Sequence, residues 1–278
     1  MSAVVVPTEM AAHVAGEHPA HVLSAVDLRA YWRFEESVGY RMDSVHDAKM
    51  YSSEGDWAEY AVAGKVGGGL RFPAIAPTTH STTGQAPFMF GGGVGDGGDY
   101  SPSFGAGSRH LGYRRHGWTW TLWYRVDAWV NATGNPMAKQ VYIIWQGEDP
   151  ATGESLAYLD LAINGDGIRL GSWGPTVTLP WAPGVGAWTF LAVTYDQAAG
   201  AFALSVNDGA QTASGSGFTM AAFPYGYVVI EMNVGDAELG MSFDEFGHWG
   251  DKILTAAQIS YLYNSGAGRA WPFVLPPS

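Results

Sequence analysis

The sequence predicts an all-β chain, an antiparallel sandwich of two sheets. Of its 278 residues, 38 are glycine and 15 proline, 14% are aromatic and 14% charged. That composition describes many short strands joined by tight turns, with Trp and Tyr supplying burial and glycine supplying positive φ. Roughly a dozen runs alternate apolar and polar positions with period two. No long helical pattern interrupts them, which sets aside helical repeats and coiled coils. The length is enough for one large domain with a sizeable core.

Residues 1–27 read as an N-terminal arm. Val4, Val5 and Val6 suit an edge strand, and Pro7 opens a short helical pattern that ends before Gly16. His13, His18 and His21 invite a metal reading, but their spacing fits no compact helical pair. Residues 28–34 form the first clear strand, with Ala30, Trp32 and Phe34 on one face. Residues 39–44 follow as a turn and bend. Residues 64–72 form a glycine-rich approach into a strand, its glycines expected to allow close packing on an aromatic neighbour. Residues 73–116 show the least regular pattern.

Residues 118–126 predict a long strand with Trp118, Trp120, Leu122 and Tyr124 on one face and Thr119, Thr121, Trp123 and Arg125 on the other. Residues 142–145 and 156–163 continue the alternation. Asn164, Gly165, Asp166 and Gly167 signal a hairpin into residues 168–170. Residues 188–196 and 201–206 make another pair, and Asn207, Asp208 and Gly209 the next turn. Residues 227–231 precede a last strand at 242–249, whose two faces are both apolar enough to be covered. A short helix closes the pattern. Thr255 is its N-cap, Gln258 stands at the capping-box spacing, and Ile259 with Leu262 or Tyr263 forms its apolar stripe up to Asn264.

The order of these segments resembles the LamG-like, concanavalin A-like jelly-roll family, which includes laminin G-type and pentraxin-type domains. Arg29 to Gly39 match the family's "vayWpFdEgsG" strand, and Asp43 and Ser44 its Asp-Ser turn. Residues 64–72 are similar to "GkfGgaLrF", 118–125 to "ftisaWvk", 188–196 to "WhhvavtyD" and 243–264 to "iDEvriynraLsaeEIaaLYn". Six motifs fall in order over residues 28–266. The resemblance implies a concanavalin A-like jelly-roll sandwich at residues 28–268, with a C-terminal tail at 269–278. It also implies a module that binds carbohydrate, adheres or assembles, and a structural calcium with Asp43 and Asp244 as candidate ligands. An Asp beside a turn also serves simply as an acceptor for backbone N–H groups. The glycines of the family's "DssGngnhGtl" loop are replaced here by Val45, His46, Asp47, Ala48, Lys49 and Met50.

Charge and motifs narrow the function. A net charge of -12, from 14 basic and 26 acidic residues, opposes nucleic acid, which is bound by exchanging Lys and Arg for condensed counterions. With zero cysteines, disulfides and thiolate metal sites are excluded. No secretory signal or membrane span is visible. The Glu-x-Asp-x-x-Glu strand of related glycosidases is absent, and Glu148, Asp149 and Glu154 read as a solvated turn. Gly93 to Gly98 match Gly-x-Gly-x-x-Gly without a following helix to hold a pyrophosphate. Sugars stack on exposed Trp and Tyr, so Trp123, Trp145, Trp173 and Trp181 are the candidate glycan-binding rings, while Trp32, Trp118, Trp120 and Trp188 are expected to face the core.

Both chain ends carry apolar residues outside the domain pattern, which suggests docking onto copies of the chain or onto other assembly proteins. The expectation is a non-enzymatic structural or adhesion protein of a virion, a capsid decoration, tail or fibre component made in the host cytoplasm. The alternatives are a free carbohydrate-binding lectin, cytoplasmic or extracellular, and a divergent glycoside hydrolase.

Overall fold

A computed structural model describes residues 28–36, 41–42, 44–45, 49–52, 59–72, 88–91, 116–130, 141–148, 155–163, 167–172, 175–220, 225–232 and 238–273. The N-terminal arm therefore lies outside the described residues. The strands are β1 (Leu28–Trp32), β2 (Arg41–Met42), β3 (Lys49–Ser52), β4 (Glu59–Ala63), β5 (Gly68–Phe72), β6 (Phe88–Gly91), β7 (Gly117–Val130) and β8 (Val141–Glu148). There follow β9 (Ser155–Ile163), β10 (Ile168–Ser172), β11 (Thr176–Leu179), β12 (Trp188–Asp196), β13 (Ala201–Val206), β14 (Gln211–Ser216), β15 (Tyr225–Met232) and β16 (Glu238–Gly250). Among the described residues one α-helix, α1 (Ala256–Tyr263), follows β16.

These strands make two antiparallel eight-stranded sheets. Sheet A runs β14-β13-β12-β7-β16-β5-β4, with β1 also paired to β16, and sheet B runs β11-β10-β9-β8-β15-β6-β3-β2. The chain is a jelly-roll sandwich, as its alternating pattern requires once each sheet must bury one face. Between the sheets lie Trp32, Trp118, Trp120 and Tyr124 from sheet A against Ile143, Leu161, Leu170 and Ile230 from sheet B, all buried. β9 and β10 pair with Ile163 opposite Ile168, and residues 164–166 of the expected hairpin turn between them lie outside the described residues.

A second apolar cluster lies on the outer face of sheet A. Leu28, Tyr31, Trp123, Phe190 and Trp249 are covered there by Leu254 and Leu262, with Ile259, Tyr263, Trp271 and Phe273 packed around them. Eight residues of helix alone are marginal in water, so this burial holds α1. Burying one Trp contributes gross stabilisation on the order of 4–6 kcal/mol, from about 25 cal/mol per Å² over roughly 150–250 Å². The start of α1 follows its sequence: Thr255 accepts from Gln258 N, and the Gln258 side chain accepts from Thr255 N, 3.0 Å away.

Three sequence expectations are corrected by this layer. Trp188 belongs to the outer cluster, since it packs there beside Phe190 and not between the sheets. Trp271 and Phe273 of the tail do not stand apart from the domain, because both rings pack on Tyr31 at 5.7 and 5.4 Å. The strict alternation read along 242–249 is broken at Glu245, so Phe243 and Phe246 share the central core while Trp249 joins the outer cluster.

Candidate functional site

Among the described residues, a concentrated polar arrangement lies where β16 changes partner. On one side β16 follows β7 throughout. On the other it meets β5 at Met241–Phe243 and then β1 at residues 246–249. Between the two, the register with β7 shifts from Asp244 to Gly247 and Glu245 takes φ 50°. This is a β-bulge, which re-aims side chains at the cost of ladder pairing. It seats Asp244 and Glu245 in the gap between β5 and β1, with 0% and 2% of their surfaces exposed.

Residues 64–68, the glycine-rich approach to β5, close over this gap. Val66 N donates to Asp244 Oδ2 at 2.7 Å, and Gly68 N donates to Glu35 Oε2 at 3.0 Å. Gly64 N donates to Gly67 O at 3.0 Å, which tightens the turn. The glycines serve carboxylates here, not the aromatic ring expected from sequence. A Cβ on Gly64 would collide first with the Gly68 carbonyl and then stand 2.7 Å from Asp244 Oδ2, and Gly67 has φ +79° beside Glu35. Arg33 links the carboxylates, donating from Nη2 to Glu35 Oε1 at 2.8 Å and placing Nε 3.6 Å from Glu245 Oε1.

Burial sets the electrostatics of the gap. It pushes Asp244 up to about 8, against the pull of the Val66 N–H and with the neighbouring Glu245 charge pushing the same way. Burial pushes Glu245 up to about 7, opposed by Tyr31 and Arg33. Further along β16, His248 accepts from Trp120 Nε1 through Nδ1 at 2.8 Å. Burial there lowers its pKa to about 3, so the ring is neutral.

The chemistry of the gap is bracing. Calcium takes six to eight oxygens, and among the described residues no group of three or more His, Cys, Asp or Glu converges to hold a metal. Asp244 Oδ2 is committed to an N–H donor, while Oδ1 is buried without a hydrogen-bond partner. Among the described residues the donors there are fewer than calcium takes. Asp43, its expected companion, lies outside the described residues.

The four candidate tryptophans fall in different places. Trp123 is 2% exposed, its ring stacked on Tyr263 at 5.7 Å and faced by Lys65 Nζ at 4.8 Å. A sugar could reach that ring only by displacing α1. Trp181 is half-buried at the end of the central core and donates from Nε1 to Thr189 Oγ1 at 3.4 Å. Trp145 stands in β8 opposite Leu159 and Val228, its side chain outside the described residues, as is Trp173.

Sequence reasoning missed two surface arrangements. On sheet A, Arg125 and Ser242 both donate to Asp127, Arg71 Nε stands 3.6 Å from it, and the Arg125 guanidinium lies 4.9 Å over Trp188. On sheet B, Arg169 Nη2 donates to Asp160 Oδ2 at 3.1 Å, with 38% and 15% of these side chains exposed. Register surrounds this pair with aromatic and amide positions. Arg169 stands opposite Ala162, Ala162 opposite Tyr142, and Tyr158 opposite Gln146, which is itself opposite Tyr227. The first draws on β5, β7 and β16, which are far apart in sequence, and the second depends on the register of β9 with β10.

Comparison with known proteins supports the fold. No family model matches the chain, and no curated protein matches it. Among solved structures, the botulinum neurotoxin serotype G binding domain superposes with a TM-score of 0.58 at 14% identity, over 85% of this chain and 50% of that one. The receptor-binding domain of botulinum neurotoxin D gives 0.57 at 11% identity, over 86% and 53%. The serotype D ligand-binding domain in complex with N-acetylneuraminic acid gives 0.57 at 11% identity, over 88% and 52%. At such identities the likeness carries the jelly-roll architecture alone, and the chain spans about half the length of these structures.

Proposed function

We propose that this chain is a non-enzymatic recognition module that binds saccharides on the outer face of sheet B. One observation carries this reading, the contrast between the outer faces as the described residues form them. That of sheet A is closed by α1, the tail residues Trp271 and Phe273, and the Asp127 ion pairs. Sheet B instead presents the partly exposed Asp160–Arg169 pair within rows that hold Tyr142, Gln146, Tyr158 and Tyr227. Carboxylate, guanidinium and amide groups hydrogen-bond sugar hydroxyls, and Tyr rings stack on sugar C–H faces. The neurotoxin domains named above, one of them bound to N-acetylneuraminic acid, support a binding role on this architecture.

The titrating carboxylates support a non-enzymatic reading. A glycosidase needs two carboxyls flanking an accessible sugar bond, whereas Asp244 and Glu245 are adjacent, buried and turned to the chain's own backbone and Arg33. Within this reading the finer role is that of a LamG-like structural or adhesion component of a virion-like assembly. Glycan-array binding by the purified chain, together with an assay for reducing ends released from the bound saccharide, tests the proposal. Binding without release is expected. Release of reducing ends would overturn the non-enzymatic part, and an array without any binding would overturn the recognition part.

A further inference from the structure

The edges of the two sheets are not equally protected. A terminal strand offers unpaired N–H and C=O groups to any other strand, and proteins block such edges with brevity, bulges, charges, proline or cover. In sheet B, β2 has two residues, and β11 lies between Pro175 and Pro180. In sheet A, β4 carries Glu59 and a register break between Glu59 and Val62. The free side of β1 is covered where Ser44 N donates to Tyr31 O at 2.8 Å.

The remaining edge, β14, has no charge, proline or bulge, and β11 packs against its inner face, where Val177 lies on Gly215. It pairs with β13 over six consecutive residues without a break, from Ala201 opposite Ser216 to Val206 opposite Gln211. Its sequence, Gln-Thr-Ala-Ser-Gly-Ser, contains no charge and no proline, and four of its six residues are exposed. The neutral stretch extends from Gly209 to Met220. Among the described residues, no strand pairs with its outer side.

We infer that β14 is a self-association edge on which a second copy of this chain adds its own β14 antiparallel, continuing sheet A across both molecules. The choice of partner follows from charge and register. At a net charge of -12 two copies repel over most of their surfaces, and contact is least opposed along an uncharged strip. A charged partner strand would find no counter-charge there. A two-fold axis perpendicular to the sheet keeps the faces of both copies aligned, so it places each residue opposite one of the same parity. With the axis at Ser214, Ser214 faces its own copy, Thr212 faces Ser216 and Ala213 faces Gly215. Hydroxyls then meet hydroxyls on one face, a favourable cross-strand pairing, and small residues meet on the other. The contact is one strand wide and belongs with weak, concentration-dependent interfaces. It is independent of whether sheet B binds a saccharide.

Sedimentation equilibrium over a rising concentration series, with Ser214→Lys, Ser214→Asp and their equimolar mixture beside the unaltered chain, tests this assignment. The mass of the unaltered chain should rise from one copy toward two and no further. Each variant alone sets like charges opposite one another and should raise the dimer dissociation constant roughly tenfold. The mixture should recover the association, which a folding defect would not allow. In the unaltered chain, the amides of residues 212–216 should exchange more slowly as concentration rises. A mass of one copy at every concentration, variants that associate as the unaltered chain does, a mixture no better than its components, or concentration-independent exchange at those amides would each overturn the inference.

Discussion

Val66 N donates to Asp244 Oδ2 at 2.7 Å across 178 positions of sequence. The bond ties the glycine-rich turn before β5 to the bulge of β16, at the point where β16 passes from β5 to β1. A buried acceptor that answers a backbone N–H costs little to keep and much to lose. Asp244→Ala should therefore destabilise the fold by about 1–3 kcal/mol through the orphaned Val66 N–H. Asp244→Asn, which keeps an acceptor at that place, should cost less. Urea unfolding of the two variants beside the unaltered chain gives the comparison, and an equal loss from both would count against the bond as the cause.

The same junction sets an unusual pH dependence. Asp244 and Glu245 are raised to about 8 and about 7 in the folded chain, from 3.8 and 4.5. Between the lower and upper values the folded state holds protons that the unfolded chain has lost. Stability should then fall as pH rises toward 8. His248 acts oppositely, because its pKa falls from 6.5 to about 3 and stability is lost as pH drops through that window. The two carboxyls outweigh the single imidazole above about pH 5, so urea midpoints should be higher at mildly acidic pH than at pH 8, with a shallower slope in Asp244→Asn.

Gly67 is left-handed at φ +79°, with a substituent facing the Glu35 carboxylate. Gly67→Ala combines backbone strain with that clash and should cost about 1–3 kcal/mol. Thermal unfolding measures it, and a wild-type melting curve would show that the turn relaxes freely.

Trp123→Ala should cost about 3–5 kcal/mol and loosen α1, because Tyr263 stacks on that ring. Hydrogen exchange should show the amides of α1 losing protection before those of β12. Retained protection would mean that the helix is held by Leu254 and Leu262 without the ring.

Where each residue's fate depended on its neighbours in sequence, the fold was legible. The alternation at 188–196 and 201–206 coincides with β12 and β13, and Thr255 and Gln258 form the capping box that their spacing implies. The strand at 242–249 read as covered on both faces, and residues 241–250 are buried throughout. What lies at a strand-to-strand or layer-to-layer distance was not legible. Alternation places Trp123 away from the central core, but nothing local announces that α1 and the tail build a second core over it. Nothing near Asp244 announces that its partner is Val66, and Asp160 and Arg169 meet only through the register of β9 with β10. The bulge at Glu245 hid the junction further, because one residue at φ 50° reverses the face on which all later residues of β16 fall.

The recognition face of sheet B is tested most directly by glycan-array binding of the unaltered chain beside Asp160→Ala and Arg169→Ala. Both side chains are part-exposed, so stability should change by less than about 1 kcal/mol. Saccharide binding should be lost in both variants while the melting curves stay in place. Binding retained at full strength in both, with the fold intact, would contradict a saccharide site on the outer face of sheet B.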